Sequence, residues 1–363
     1  MKILLQHNHT PGEISGVKRY LDELEAELCR SGFEIRQISS KGVEWSTLVR
    51  AVEWADVVHL NSNHFRIAIL ARFTGKIVVL KYHFPFWARY VFGKFKRQSL
   101  LRHVLGDCIF RTRQMFPWRK GSAFALFASY GRIVGRVLVA LLAHVRLAPT
   151  RFIADSADLP WLVEVNHYPM RSELKESEIF ALERERELLF VGRIDQFKGL
   201  EVLIEALAIL KKNESPIHLH VAGEGSELEI SRTLVYELGL ADCVTFHGLL
   251  NRPQVTALMR RVSALVVPSK WNDPSPLVVL EAAANGCVSI VSNMGGLPEI
   301  VGPYGLTFES ESRGELAACI HRLFAEGSAK ERGLATNRFL KEEFAPENVS
   351  MRLIGMINRW RVV

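Results

Sequence analysis

Hydrophobic and polar positions in the second half of the chain follow a strand-then-helix rhythm. Leu188 to Val191 is a short apolar run ended by Gly192, and from Gly199 the spacing changes, with Leu200, Leu203, Ile204, Leu207 and Leu210 recurring on one helical face. Ala264 to Val267 repeats the pattern: Pro268 and Ser269 end that strand, and LVVLEAAA from Leu277 predicts a helix with Pro276 at its first turn. Proline suits that place, because its missing N–H would be an orphan there in any case. The first half reads similarly. MKILLQHN predicts a strand, and SGVKRYLDELEAELCRSGFEI an amphipathic helix burying Val17, Tyr20, Leu21, Leu24 and Leu28, closed by Gly32. ADVVHLNSN and KIVVLKYHF add two strands carrying His59 and His83 at their ends. Regular alternation of strands and helices implies parallel sheets covered on both faces, and 363 residues suffice for two such α/β domains.

Two loops in this pattern carry chemistry. Arg193 and Lys198 lie between the strand ending at Val191 and the helix after Gly199, where a parallel sheet receives an anionic ligand. Arginine clamps diphosphate oxygens bidentately and lysine adds a mobile point charge. In PSKWNDPSPLVVLEAAANG, from Pro268 to Gly286, the amides of Leu277 and Val278 open a helix N-terminus, a natural seat for a diphosphate. Asp273 precedes that helix and Glu281 lies about one turn inside it. Acceptor-only carboxylates repel phosphate, so these two suit sugar and ribose hydroxyls. Capping and solvation account for the same residues taken singly.

These residues resemble the retaining GT-B glycosyltransferases of family 4, the glycosyl transferases group 1. The E-x7-E signature reads Asp273-x7-Glu281, followed by SNMGGLPEIV. VGRIDQFKG matches the diphosphate loop at Arg193 and Lys198, and HVAGEGSE (220–227) and VTFHGLL (244–250) match weaker motifs between. The resemblance is strong over 188–310 and looser before it; the first acidic position departs from the common pattern by being Asp. It implies an α/β GT-B fold with two Rossmann-like doubly wound domains facing a cleft. An acceptor-binding domain over 1–180 carries a basic, apolar insert over 86–146. A nucleotide-sugar domain covers 181–345, and a terminal helix over 346–363 crosses back to the first domain. The implied reaction transfers a sugar from a UDP or GDP sugar to an acceptor hydroxyl with retention. Asp273 and His83 stand at the reacting sugar; Gly16, Arg193, Lys198, Ser275, Leu277, Val278 and Glu281 hold the donor. A nucleotide-sugar epimerase or hydrolase, or a non-catalytic membrane-bound scaffold with a degenerate site, would use overlapping residues.

Composition adds location. Residues 51–150 hold 16 Lys or Arg against 3 Asp or Glu, whereas 181–363 hold 20 against 23, so the basic surface belongs to the first half. There ARYVFGKFKRQSLLRHVLGDCIFRTRQMFPWRKG interleaves cations with aromatic and aliphatic side chains. GSAFALFASYGRIVGRVLVALLAHV is largely apolar but interrupted by Arg132 and Arg136 before it reaches spanning length. An interfacial element on an anionic membrane is expected, with a lipid-linked saccharide of cell-surface or exopolysaccharide synthesis as acceptor; a buried helical insertion is the other reading. Nucleic acid is not expected as a partner, for want of a supporting fold. Five cysteines without a CxxC pair fit a reduced compartment and no structural zinc. The first apolar run ends at Leu5, so no secretory leader is expected and the location is the cytoplasm, peripheral to the inner membrane face. The chain contains no Asp-x-Asp, so catalysis without a metal or other cofactor is expected. The charged stretch 171–187 reads as the linker.

Overall fold

The computed structural model describes residues 1–10, 15–91, 97–115, 123–211 and 217–361. They divide into two compact units, one comprising 1–169 with 346–363 and the other 170–345.

The first unit is built on six parallel strands: β1 (Lys2–His7), β2 (Glu34–Ser39), β3 (Val57–Leu60), β4 (Ile77–Lys81), β5 (Val145–Ala148) and β6 (Glu164–Val165), in spatial order β2-β1-β3-β4-β5-β6. β3 is buried along its whole length, as a strand covered on both faces must be, and its VVHL run is apolar but for His59. The helix Gly16–Arg30 follows β1, capped by Ser15, whose hydroxyl accepts the Lys18 N–H at 3.1 Å. It buries Tyr20, Leu21, Leu24 and Leu28, four of the five positions its spacing predicts. The final helix, Pro346–Asn358, packs on it within this unit.

The second unit holds β7 (Glu185–Val191), β8 (His218–Ala222), β9 (Val244–Gly248), β10 (Val262–Val267), β11 (Val288–Ser292) and β12 (Leu306–Phe308), again all parallel, in order β12-β11-β10-β7-β8-β9. Both sheets thus reverse direction of construction once, between β1 and β3 in the first and between β7 and β10 in the second. At such a switch point the loops leaving two adjacent strands diverge to opposite faces and open a crevice at the strands' carboxyl ends.

Three expectations need revision. The stretch 171–187 is no free linker: it forms a helix, Glu176–Ala181, and the start of β7. Arg184 explains why so polar a segment is ordered, since its guanidinium donates to the carbonyls of Met259, Val262, Asn285 and Gly286 at 2.5–3.0 Å, tying down two helix ends. Pro276 stands at the N-cap, with extended backbone, one position outside the first turn of helix Leu277–Ala284. The basic insert is partly core: helices Leu100–Met115 and Ala123–Leu142 bury His103, Ile133, Val139 and Ala140. His103 stacks on Trp87 at 5.0 Å and bonds Asp158 at 2.8 Å. The same helices leave Leu101, Leu105 and Ile109, and Val134, Leu138 and Leu141, exposed. Among the described residues no helix is long and apolar enough to cross a membrane.

Burial makes the first unit sensitive to acid. The His59 ring is fully buried, and burial first, then the nearby Lys81, push its pKa from 6.5 down to about 3. His83 is displaced downward as well, chiefly by burial and then by Lys81, His59 and His9. Folded values below unfolded ones mean that the unfolded chain takes up protons first. The contribution of these rings is therefore complete above about pH 6.5 and is lost as pH falls below it, for His59 down to about 3. Urea unfolding measured between pH 7 and 4 should show stability falling by about 1.4 kcal/mol per pH unit per ring, and H59Q should remove one ring's share of that slope. An unchanged slope in H59Q would refute the assignment.

Candidate functional site

In the second unit two of the predicted residues, Lys198 and Asp273, meet at the β7/β10 switch point. Gly192 ends β7 with φ 154° and donates its N–H to Ala222 O at 3.0 Å. Gly223 leaves β8 so close by that a Cβ there would lie 1.9 Å from Gly192 O. A cavity of about 160 Å³ opens beside these two turns, lined by Arg193, Glu224, Leu249 and Leu250 among others. Arg193 is 80 % exposed and pairs with Asp195 of its own loop at 3.4 Å.

Lys198 and Asp273, 75 positions apart, meet directly: Lys198 Nζ donates to Asp273 Oδ2 at 2.7 Å and lies 5.2 Å over the Trp271 ring. Local backbone contacts force the meeting. Gly199 (φ 69°) sits where a Cβ would fall 2.0 Å from Pro268 O, and Lys270 N–H bonds Phe197 O at 2.8 Å, so the loop after β7 lies against the end of β10. On the other side Gly296 N–H bonds Asp273 O at 2.8 Å, and a Cβ on Gly295 (φ 62°) would lie 2.5 Å from the same oxygen. The GG of SNMGGLPEIV thus clamps the backbone of Asp273, whose side chain is only 6 % exposed.

Beyond Asp273 the chain turns into helix Leu277–Ala284. No side chain caps its N-terminus, where Leu277 and Val278 are the first residues. Ser275, in that turn, is buried, and its hydroxyl has no hydrogen-bond partner among the described residues. A buried hydroxyl beside an uncapped helix N-terminus and a lysine is a constellation suited to an anionic, hydroxylated ligand. Glu281, one turn along, faces a separate cavity of about 300 Å³ with Arg252, Thr256, Arg260 and Asn285. Lys198, Asp273, Ser275, Leu277 and Val278 therefore lie together, whereas Arg193 and Glu281 each border a cavity of their own.

Two predicted residues belong to the first unit. Gly16 opens the helix capped by Ser15; residues 11–14 before it lie outside the described residues. His83 is buried with both ring nitrogens engaged, Nδ1 with Tyr168 Oη at 2.7 Å and Nε2 with Asn61 Oδ1 at 3.0 Å. Because an amide oxygen only accepts, the neutral ring carries its proton on Nε2 and accepts the Tyr168 O–H at Nδ1. Asn61 in turn donates from Nδ2 to His59 Nδ1 at 2.8 Å. Lys81 lies beneath, 2.5 Å from Asn166 O and 4.1 Å from the Tyr20 ring centre. Burial lowers its pKa, while the carbonyl and the ring face stabilise the ammonium. Asn61, Tyr168 and Lys81 escaped the sequence reading, since none belongs to a local pattern, and Tyr20 was read only as a core position of its helix; the position of Asn61 directly after β3 is the one signal that marks it out.

Residues 172–337 match the family model "Glycosyl transferases group 1". Glycogen synthase of Mycobacterium tuberculosis is 33 % identical over 178 residues, covering 47 % of this chain and 43 % of that protein. A D-inositol 3-phosphate glycosyltransferase of Arthrobacter is 30 % identical over 149 residues, 39 % of this chain and 35 % of its own length. The chain thus spans less than half the length of these relatives. Among solved structures, Anabaena HepE in complex with UDP superposes with a TM-score of 0.71 at 15 % identity, over 99 % of this chain and 100 % of that one. The apo lipopolysaccharide outer core galactosyltransferase WaaB does so with 0.69 at 16 % identity, over 99 % of both. Residues 172–337 thus resemble the glycosyl transferases group 1 family, and the described residues form two parallel-sheet α/β units with the GT-B fold of these solved structures.

Proposed function

We propose that the chain is a glycosyltransferase that moves a sugar from a nucleoside diphosphate sugar, with UDP or GDP as leaving group, to an acceptor hydroxyl with retained anomeric configuration and without a metal. The observation that carries this reading is the orphaned Ser275 hydroxyl between the Lys198–Asp273 pair and the uncapped N-terminus of helix Leu277–Ala284. A diphosphate at that N-terminus would take the Leu277 and Val278 amides and the Ser275 O–H, and would draw Lys198 towards its growing negative charge as the bond to the sugar breaks. Asp273, held by Gly295 and Gly296, would accept hydrogen bonds from the transferred sugar. Arg193, exposed beside its cavity, would reach the outer phosphate oxygens, and Glu281 a ribose hydroxyl. Retention fits front-face attack, in which the departing diphosphate takes the acceptor proton; His83 holds the first unit's strand ends in place for the acceptor.

The acceptor we propose is a lipid-linked saccharide of cell-surface or exopolysaccharide synthesis, met at the cytoplasmic face of an anionic membrane. Support comes from the exposed Leu101–Leu105–Ile109 stripe and the exposed Val134, Leu138 and Leu141 of the neighbouring helix, set in a region of 16 cations against 3 carboxylates.

Three outcomes follow from this reading. In calorimetric titration of the full chain, UDP or GDP should bind equally well with and without magnesium, and K198A should weaken binding at least tenfold; absence of binding by any nucleoside diphosphate would remove the donor site. K198A and E281A should each lower turnover roughly a hundredfold, the scale of losing one charge-stabilising group, and near-normal rates in both would refute their placement. Sedimentation with phosphatidylglycerol vesicles should exceed that with phosphatidylcholine, and L105E combined with I109E should abolish the difference. Equal sedimentation with both lipids would refute a membrane role.

A further inference from the structure

We infer that the acceptor bears an anionic group, phosphate or carboxylate, and that the first unit seats that group against Arg136 in a cavity at its own switch point. The inference rests on the glycosyltransferase reading for the word acceptor, but the cavity and its chemistry lie wholly within one unit.

The cavity encloses about 270 Å³ at the carboxyl ends of β1, β3 and β4. Amide side chains of Asn8, Asn61 and Asn63 line it, Phe84 and Phe86 supply flat apolar walls, and Arg136 enters from the helix Ala123–Leu142. Amides that both donate and accept suit sugar hydroxyls, and aromatic walls suit the C–H faces of a pyranose ring. The charged group is what distinguishes this cavity. Among the described residues that line it there is a guanidinium and no carboxylate, with His9 at the rim and the buried Lys81 at the base. In the second unit the arginines share their cavities with carboxylates: Arg193 with Glu224 in one, and Arg252 and Arg260 with Glu173 and Glu281 in another. Carboxylates serve neutral hydroxyls, whereas a half-buried guanidinium serves an anion, which it can clamp with two parallel N–H bonds under weak salt screening.

Arg136 is held in place for this task. It donates from Nη1 to Phe86 O and lies 5.7 Å from the Phe86 ring centre, so the side chain is anchored on the wall of the cavity. The same helix exposes Val134, Leu138 and Leu141. Arg136 lies three or four positions from the buried Ile133, Val139 and Ala140, on the side of the helix opposite those exposed residues, so a phosphate seated there would belong to a phosphorylated sugar and a carboxylate to an acidic one.

The test is ligand-observed NMR titration of the full chain, with UDP saturating so that the second unit's phosphate site is filled. Glucose, glucose 6-phosphate and glucuronate are compared in wild type, R136Q and R136K. At least one charged sugar should bind tenfold or more tightly than glucose; R136Q should lose that advantage and R136K should keep part of it. Preference for glucose 6-phosphate alone identifies a phosphate, for glucuronate alone a carboxylate, and for both a shared anion seat. Equal affinities for all three sugars in wild type overturn the inference without reference to any variant, and so does an advantage that persists in folded R136Q. UDP affinity should be the same in wild type and R136Q. If no nucleotide binds wild type, the donor reading fails while the anion preference can still be read; if UDP binds and no anion preference exists, this inference alone fails.

Discussion

The contact between Lys198 and Asp273 is the hinge on which the candidate donor site turns. Two opposite charges largely removed from water lose hydration that their attraction only partly restores, so such a pair is weak evidence of stability by itself. Here three glycine contacts force it: Gly199 against Pro268, Gly223 against Gly192, and Gly295 against Asp273, each closer than any Cβ allows. The loops leaving β7, β8, β10 and β11 are thereby drawn together at one end of the sheet. A charge pair in so confined a place is better understood as a ligand's partners held in readiness than as a staple. The orphaned Ser275 hydroxyl beside it points the same way, since a buried donor without an acceptor is costly unless something else supplies one.

The same topology governs both units. Each sheet reverses its order once; in the first unit a cavity opens at that reversal, and in the second one opens beside it, along the carboxyl ends of β7, β8 and β9. What differs is the chemistry placed there. In the second unit cations and carboxylates alternate around an uncapped helix N-terminus. In the first, Ser15 occupies the helix N-terminus and the strand ends carry a closed chain of hydrogen bonds from Tyr168 through His83 and Asn61 to His59. That chain engages both ring nitrogens of His83, and the ring thereby fixes Asn61 at the cavity wall.

Much of this was legible in the sequence, and the legible part has a common physical basis. Periodicity located the sheets because a parallel strand buried on both faces must be apolar along its length, as β3 and β10 are. The loops at 192–199 and 268–281 were legible because each follows an apolar strand, precedes a helical repeat, and sets charged side chains among turn-forming glycine or proline. The direct pairing of Lys198 with Asp273 was not, because it depends on β7 and β10 being neighbours, and strand order leaves no local mark. The 171–187 stretch misled for the opposite reason: its charges look solvated, yet Arg184 is inside, serving four carbonyls that belong to residues 75 to 102 positions away.

The insert between β4 and β5 shows why composition alone left two readings open. A helix with cations amid apolar residues can lie on a membrane or be buried, and Ala123–Leu142 does both by face: Ile133, Val139 and Ala140 go into the core while Val134, Leu138 and Leu141 remain outside. Arg136 shares the inner face with Ile133, Val139 and Ala140, three and four positions away, and turns to the Phe86 carbonyl at the cavity wall. In sequence it looked like an interruption of an apolar run. Its position shows that the interruption is where the helix passes the mouth of a polar cavity. One helix thus separates an apolar exterior, at Val134, Leu138 and Leu141, from a charged side chain turned to the cavity on its opposite face.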